Sequence, residues 1–285
     1  MASMRDIQRR KASIQSTGQI TKAMKLVSTV KLQKAKSKAE QTRPYSERMY
    51  ETVSEMLSKS SNINHPYLKK GESNKKAVIV ITSNRGLAGG YNTNIIKLLT
   101  AGSIPKEDIW VYPIGRKGKE ILARRGYEMK TDYSEVINEP MYQDAQEICK
   151  EVLNAFTNGE IGEIYLAYTS FKNTVSHEPK LIKLLPIEME VKKEESQEKA
   201  VPMNYEPDEE EVLNVIVPKY MCSLIYGGLI EAVASENGAR MQAMDSATSN
   251  AEEMLGELSL MYNRARQGSI TQELTEIIAG AEAIN

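Results

Sequence analysis

Apolar and polar positions follow a helical period near both ends of the chain. Residues 3–58 contain no proline before Pro44, and their only glycine is Gly18. Two apolar stripes recur at helical spacing, formed by Ile20, Met24 and Val27 and then by Met49, Val53 and Met56. The pattern predicts one very long helix, bent near Pro44, and a loop over residues 58–74.

The middle of the chain changes to short apolar runs that alternate with helical segments. Strands are predicted at residues 76–83, 108–114, 163–168 and 181–185. Helices are predicted from residue 94, from the end of the second strand through Arg125, and at 145–156. Strands that alternate with helices favour a Rossmann-like, mostly parallel, three-layer α/β domain.

A second long helix is predicted from near Pro207, with a kink around Pro218 and Gly227–Gly228. From Ile230 onward one seam keeps strict 4-3 spacing, which is typical of a left-handed coiled coil. The seam consists of Ile230, Ala234, Asn237, Met241, Met244, Thr248, Ala251, Leu255, Leu258, Tyr262 and Ala265. Its small and polar members favour the N-terminal helix as its partner over a second copy of the chain.

These patterns divide the chain into four parts. We predict an N-terminal helix over residues 1–58, the α/β domain over 75–192, a linker over 193–208 and a C-terminal helix over 209–285. The two long helices are expected to pair as an antiparallel left-handed coiled coil beside the α/β domain. Flexible methionine, present 14 times, suits such helix–helix surfaces.

Charge supports this pairing. Residues 1–48 carry twelve basic and three acidic side chains, a formal charge of +9, whereas residues 220–285 carry three basic and nine acidic ones, a formal charge of −6. The two ends are therefore electrostatically complementary. A basic helix is also compatible with nucleic-acid binding, but no binding motif is present and residues 1–44 contain no aromatic side chain.

No residue pattern indicates catalysis, a cofactor or a metal. The glycine-rich turn at 86–92 follows a strand, where phosphate loops occur, but it lacks the lysine and hydroxyl of such loops and is interpreted as a tight turn. His65 and His177 have no partner at catalytic or metal-ligand spacing and are expected at the surface. The acidic residues 206–211 are interpreted as a helix N-terminus rather than a calcium loop.

Cellular context follows from three absences. Cys149 and Cys222 are far apart in sequence and form no disulfide framework, which fits a reducing compartment. The N-terminus does not resemble a signal peptide. The strongest apolar run, residues 77–81, is far shorter than the ~20 residues that span a bilayer, so membrane association is expected only through partners.

Read from end to end, the sequence resembles the gamma subunit of rotary, F-type ATP synthases of the bacterial type. The C-terminal stretch ITQELTEIIAGAEA at residues 270–283 fits that family's signature, and YNRARQ precedes it at 262–267. Further matches are ITKAMKLV at 20–27, RPY at 43–45, RGL at 85–87, YEPD at 205–208, and shorter stretches at 89–90, 240–241 and 243–244.

The resemblance implies a non-catalytic central rotor stalk of a proton-translocating synthase, peripheral to the cell membrane on its cytoplasmic side. Its implied partners are the alpha and beta subunits of the catalytic ring, the epsilon subunit and the c-ring, with no nucleic acid and no small-molecule substrate. Implied contacts with the ring are Met24, Arg240, Arg266, Gln267, Thr271 and Glu273. Implied contacts with epsilon or the c-ring are Tyr205 and Glu206.

Two rival readings come from other classes of protein. One is an α/β enzyme with helical arms, which ATP hydrolysis by the purified chain would support. The other is a coiled-coil scaffold or nucleic-acid-binding protein, which salt-dependent retention on DNA would support.

Overall fold

The computed structural model describes residues 4–59, 65–174, 176–187 and 208–282 of the chain. The described residues form five α-helices, namely α1 (Met4–Lys59), α2 (Tyr91–Thr100), α3 (Arg116–Arg124), α4 (Tyr142–Thr157) and α5 (Glu209–Glu282). Five strands are β1 (Lys76–Ile81), β2 (Ile109–Ile114), β3 (Glu128–Met129), β4 (Glu163–Phe171) and β5 (His177–Leu185). Short 3₁₀ helices lie at Pro66–Leu68, Lys106–Asp108 and Val136–Asn138.

The chain divides into two compact units, and the division falls within both long helices. The helix-pair unit consists of Met1–Thr29 and Arg240–Asn285, and the α/β unit of Val30–Ala239. The predicted linker lies outside the described residues except for Asp208, and the predicted domain boundaries stay predictions. Asp208 accepts a hydrogen bond of 2.8 Å from the amide of Glu211, so it caps the acidic first turn of α5.

The α/β unit is built on one five-stranded sheet in the order β3-β2-β1-β4-β5. The first four strands are parallel, and β5 pairs with β4 in antiparallel register. Strand β1 is apolar along its length because it is central and covered on both faces, as parallel strands usually are. The predicted mostly parallel α/β domain is confirmed, and only the two-residue β3 was missed.

Each face of the sheet carries its own core. On one face, α2 and α3 cover alternate residues of β1 and β2, including Val78, Val80 and Val111. On the other face, Ile79 and Ile81 of β1 pack with α4 and the first part of α5. Alternation of side chains along a strand separates the two sets, so three layers form as the sequence predicts.

Helix α1 joins this second core through its last turns. Val53 and Met56 are fully buried, and Met56 belongs to the cluster formed with α4 and α5. Earlier in α1, the Ser46 hydroxyl lies 3.0 Å from that of Ser223 on α5, where small side chains let the helices approach. Helix α1 continues through Pro44, and α5 continues through Pro218.

Within the helix-pair unit, α1 and α5 run antiparallel. The Thr21 and Thr248 hydroxyls are 2.8 Å apart. Lys25 Nζ lies 2.6 Å from a carboxylate oxygen of Asp245. The residue numbers of the contacting pairs therefore increase along α1 while they decrease along α5. A Cβ placed on Gly18 would lie 3.4 Å from the Cβ of Ala251, an ordinary contact.

The seam predicted for α5 is confirmed by burial. Its members from Ile230 to Ala265 are all buried or half-buried, and Ala251 is 6% exposed among exposed neighbours. The α1 side differs from the apolar stripe of the sequence, because Ile20 and Val27 are each 57% exposed. Thr21 and Ser28 are buried instead, since a close helix–helix approach selects small side chains.

One stretch of α5 is apolar enough to resemble a membrane span, contrary to the expectation from residues 77–81. It reaches a mean hydropathy of 1.4 over 18 residues, and 56% of it is buried inside the protein. Such burial is typical of a core helix, whose apolar side chains are already covered by the chain itself.

Both histidines depart from the surface positions that were predicted. His65 is 3% exposed, its Nδ1 accepts a hydrogen bond from the amide of Tyr67 at 3.2 Å, and its Nε2 lies 3.1 Å from Asn214 Oδ1. The His177 ring nitrogens are enclosed as well. Each histidine therefore fixes a loop or strand end against α5 rather than facing solvent.

His177 makes stability depend on pH. Its ring lies against Gly238 of α5 and 5.9 Å from the ring of Phe171. Burial lowers the pKa of His177, and the Thr174 carbonyl offsets this only in part. The folded pKa is below the unfolded value of about 6.5, so we expect the free energy of unfolding to fall as pH drops below that value. Urea midpoints at neutral and acidic pH will measure this, and His177→Gln should flatten the slope. An unchanged slope would place the titration elsewhere.

Candidate functional site

The glycine-rich turn after β1 is occupied by its own side chains. Asn92 Oδ1 accepts hydrogen bonds from the amide and the hydroxyl of Ser83, at 2.9 and 3.1 Å. The Ser83 hydroxyl also lies 2.6 Å from the carbonyl oxygen of Arg85. Leu87, with φ of 61°, and Gly89, with φ of 55°, complete the reversal. These bonds tie the two ends of the turn together, which fits the predicted tight turn.

No metal centre forms in the described part of the chain. Across residues 4–59, 65–174, 176–187 and 208–282, no three His, Cys, Asp or Glu side chains come together as a possible ligand set. The Glu163 carboxylate pairs with Lys76 and Lys183, so it belongs to an ion-pair network.

The C-terminal end of α5 is an exposed candidate contact surface of the helix-pair unit. All residues from 270 to 281 are exposed, including apolar Leu274 at 55% and Ile277 at 67%. The Thr271 and Thr275 hydroxyls donate to carbonyl oxygens one turn earlier, at 2.9 and 2.8 Å, so these polar groups are satisfied within the helix. An exposed row of this kind marks a surface that another protein covers.

The six predicted ring contacts fall into three groups. Arg266, Gln267, Thr271 and Glu273 are all exposed on α5. Met24 on α1 is half-buried, and Arg240 is only 8% exposed. Tyr205 and Glu206, the predicted contacts of epsilon and the c-ring, lie outside the described residues. The structure thus gathers four of the six on one exposed helix end.

A second exposed apolar surface was not recognised as such in the sequence. On α1 of the helix-pair unit, Ile20, Leu26 and Val27 are all more than half exposed. Their helical spacing was visible, but spacing alone does not tell a buried stripe from one that awaits a partner. The missing signal was the parallel row of Gly18, Thr21 and Ser28, whose small size marks the side that faces α5.

Solved structures show the same fold. The chain is similar to a chain of the Euglena gracilis mitochondrial ATP synthase (OSCP/F1/c-ring, rotational state 3), with a TM-score of 0.64, 18% identity, and coverage of 99% of this chain and 94% of that one. It is also similar to a chain of the Tetrahymena thermophila mitochondrial ATP synthase central stalk/c-ring, with a TM-score of 0.57, 24% identity, and coverage of 80% and 99%. The fold class is thus that of ATP synthase central-stalk subunits.

Sequence relatives give the family. A family model described as ATP synthase matches residues 3–284. The ATP synthase gamma chain of Lachnoclostridium phytofermentans is 71% identical over the whole of both chains, and that of Alkaliphilus metalliredigens is 44% identical over 99% of this chain and 98% of its own. The sodium-ion-specific gamma chain of Acetobacterium woodii is 40% identical over 99% of each. The chain belongs to the ATP synthase gamma-chain family, the central-stalk subunits of the membrane-bound F-type synthases.

Proposed function

We propose that this chain is the non-catalytic rotor that couples rotation of a membrane c-ring to conformational change in the catalytic beta subunits. Family membership over the full length carries the proposal. The exposed end of α5 supports it, because that surface needs a partner of matching apolar character. In this proposal Arg266, Gln267, Thr271 and Glu273 contact the alpha and beta subunits.

The two remaining ring contacts have different roles in the proposal. Met24 is half-buried and contributes part of its side chain to the ring. Arg240 is mostly enclosed by the chain itself, so it acts chiefly by holding α5 in place. Tyr205 and Glu206 are proposed to contact epsilon and the c-ring.

The energy that such a rotor carries exceeds what any single polar contact supplies. Moving one charge through 100 mV is worth about 2.3 kcal/mol, so about three charges at ~150–200 mV deliver roughly 10–14 kcal/mol per catalytic event. The ion pair between Lys25 and Asp245 is substantially exposed, at 39% and 57% of the two side chains, and such pairs are worth about 0.2–1 kcal/mol. Torque is therefore transmitted by steric contact of paired helices, while polar residues set the dwell positions.

The proposed coupling ion is the proton. One relative is named sodium ion specific, so family membership does not by itself fix the ion. Proton coupling predicts that added sodium does not change the rate of ATP hydrolysis by the membrane-bound complex. It also predicts that hydrolysis directly changes the pH on one side of the membrane. Stimulation by sodium, with sodium uptake, would assign the other ion without affecting the rotor proposal.

The proposed location is the cytoplasmic face of the cell membrane, as a peripheral subunit held by its partners. Full-length similarity to the gamma chains of bacterial ATP synthases supports this assignment. In inverted membrane vesicles the chain should be open to added protease, and in intact spheroplasts it should be protected. Protection in inverted vesicles would reverse the sidedness.

The central experiment reconstitutes alpha and beta subunits with and without this chain. A bead attached to the α/β unit reports motion while ATP hydrolysis is measured. The rotor proposal expects higher hydrolysis with the chain and rotation of the bead in one direction. Incorporation without rotation would favour a scaffold, and ATP hydrolysis by the chain alone would favour an enzyme.

Gln267→Leu tests whether steric contact transmits the torque while polar contacts set the dwell positions. The exposed amide of Gln267 can hydrogen-bond to a surrounding subunit, whereas leucine of similar size keeps the steric contact. We expect turnover to fall several-fold, which is roughly what the loss of one hydrogen bond allows. Stall torque should change by less than about a fifth, because the steric contact remains. Single-molecule rotation gives both quantities. Gln41→Leu, at an exposed position of α1 in the α/β unit, serves as the matched control. A loss of stall torque with unchanged turnover would contradict the steric mechanism.

A further inference from the structure

Two cysteines that are distant in sequence meet inside the α/β unit. Cys149 lies on α4 and Cys222 on α5, and they are 1% and 7% exposed. Cys149 Sγ lies 3.6 Å from the carbonyl oxygen of Pro218, which is one helical turn before Cys222. The α4 thiol therefore sits against the turn of α5 that carries the second thiol, and both are free.

The two thiols are also chemically distinct. Hydrogen bonding to the neighbouring Cys222 thiol raises the pKa of Cys149, and burial raises it further. The interaction with Cys149 lowers the pKa of Cys222 and outweighs the opposing effect of burial. Cys222, which has the lower pKa and is the more exposed of the two, is therefore the thiol that ionises more readily. A thiolate, not a thiol, is the nucleophile in oxidation.

A cavity connects this pair to the surface. It has a volume of about 310 Å³ and is lined by both thiols together with Tyr142, Lys150 and Lys219. The two lysines bring positive charge to its rim, which favours the thiolate form. Because the thiols themselves are almost enclosed, the cavity admits a molecule of the size of peroxide more readily than a bulky aromatic reagent.

We propose that Cys149 and Cys222 are a dithiol modification site that hydrogen peroxide converts to a reversible disulfide between α4 and α5. The thiolate sulfur of Cys222 attacks one oxygen of the peroxide, the O–O bond breaks, and the departing hydroxide takes up a proton to leave as water. Cys222 is thereby oxidised by two electrons to a sulfenic acid. The sulfur of Cys149 then attacks that sulfur, the S–O bond breaks, and the hydroxide leaves as water with the Cys149 proton. In sum, two thiols and one peroxide give one disulfide and two waters.

The bond would tie the sheet layer to the long helix that covers it. Helix α4 packs on the sheet through Ile148 and Val152, and α5 packs on the same core through Met221 and Ile225. A cross-link between these helices closes a long loop, since the intervening chain contains β4 and β5, and long loops give large stabilisation. Both cysteines belong to the α/β unit, so oxidation strengthens the attachment of the first part of α5 to the α/β layers.

Peroxide treatment of the full-length chain tests the site. Peptide mapping without reductant should find one cross-linked peptide pair joining Cys149 to Cys222, and dithiothreitol should release it. The midpoint of thermal unfolding should rise by about 5–10 °C on oxidation and return on reduction. Before peroxide, a bulky aromatic disulfide reagent should label neither thiol unless the chain is unfolded.

Single variants separate the two roles, and circular dichroism checks that each is folded. In Cys149→Ser, the Cys222 sulfenic acid has no resolving thiol, so dimedone should trap it in high yield. In Cys222→Ser, Cys149 should remain unmodified at the same peroxide dose. The proposal is overturned if the wild-type chain gives dimedone-labelled Cys222 without a cross-link, or if neither thiol reacts. Preferential labelling of Cys149 would reverse the assigned nucleophile and overturn the proposal as well.

Discussion

Gly115→Ala is expected to lower the free energy of unfolding by about 4 kcal/mol, combining backbone strain with a collision in a packed site. Gly115 follows β2 and precedes α3 with φ of 106°, a left-handed conformation that favours glycine. A Cβ there would lie 2.1 Å from the carbonyl oxygen of Thr82 and 2.8 Å from its hydroxyl. That hydroxyl accepts the 2.9 Å hydrogen bond from the amide of Gly118 that fastens α3 to the sheet.

Gly159→Ala is the matched control for Gly115→Ala. Gly159 has φ of 74°, and a Cβ there meets nothing within 4 Å, so this variant carries backbone strain without a collision. It should cost about 1–2 kcal/mol. Urea denaturation of both variants measures the difference. Equal losses of unfolding free energy in the two variants would mean that the backbone at Thr82 moves to accept the new methyl group, so that this contact is not rigid.

Glu163→Gln is the second change with a large expected effect, about 2–4 kcal/mol, because it leaves two half-buried ammonium groups without their counter-charge. The Glu163 side chain is 9% exposed, 2.8 Å from Lys76 Nζ and 3.6 Å from Lys183 Nζ. Burial alone would raise the pKa of Glu163, but the hydrogen bond and charge of Lys76, with the charge of Lys183, lower it. The carboxylate is therefore the favoured form in the folded chain.

The pH dependence of this change has a definite sign. Because the pKa of Glu163 is lower in the folded than in the unfolded chain, its contribution is complete above about 4.3, the unfolded value, and is lost as pH falls further. The wild type and Glu163→Gln should therefore converge in stability under acid conditions. Glu128→Gln is the control, since Glu128 forms a 2.7 Å pair with Lys130 but is 48% exposed, and its loss should cost less than about 1 kcal/mol. A loss as large as that of Glu163→Gln would show that burial does not decide the difference.

Much of the architecture could be predicted from the sequence, because local patterns and tertiary contacts agree. Strand β1 is a continuous apolar run since it is buried on both faces, and the α5 seam is visible since both heptad positions face α1. Strand β3, with two residues, has no period to detect. Antiparallel β5 was placed too short, because its first half is only partly buried and carries polar side chains.

The candidate sites were less readable, for a physical reason. Apolar spacing at Ile20 and Val27 indicates a helix but does not say which partner covers it, and the structure exposes both residues. The approach of Cys149 to Cys222 depends on how α4 and α5 pack, which no local pattern encodes. The burial of His65 depends likewise on Asn214, far along the chain. The signature at residues 270–283 could be read only as a resemblance, since its described side chains, at residues 270–281, are all exposed and pack little within the chain.

Because apolar side chains of the helix-pair unit are exposed, the lifetime of this chain in the cell depends on how much of it is made relative to its partners. Ile20, Leu274 and Ile277 are each more than half exposed, so a copy without partners presents them to holdase chaperones and proteases. Overproduction of this chain alone should therefore shorten its half-life, and balanced synthesis with its partners should restore it. The amount of this subunit that accumulates is then limited by the supply of its partner subunits.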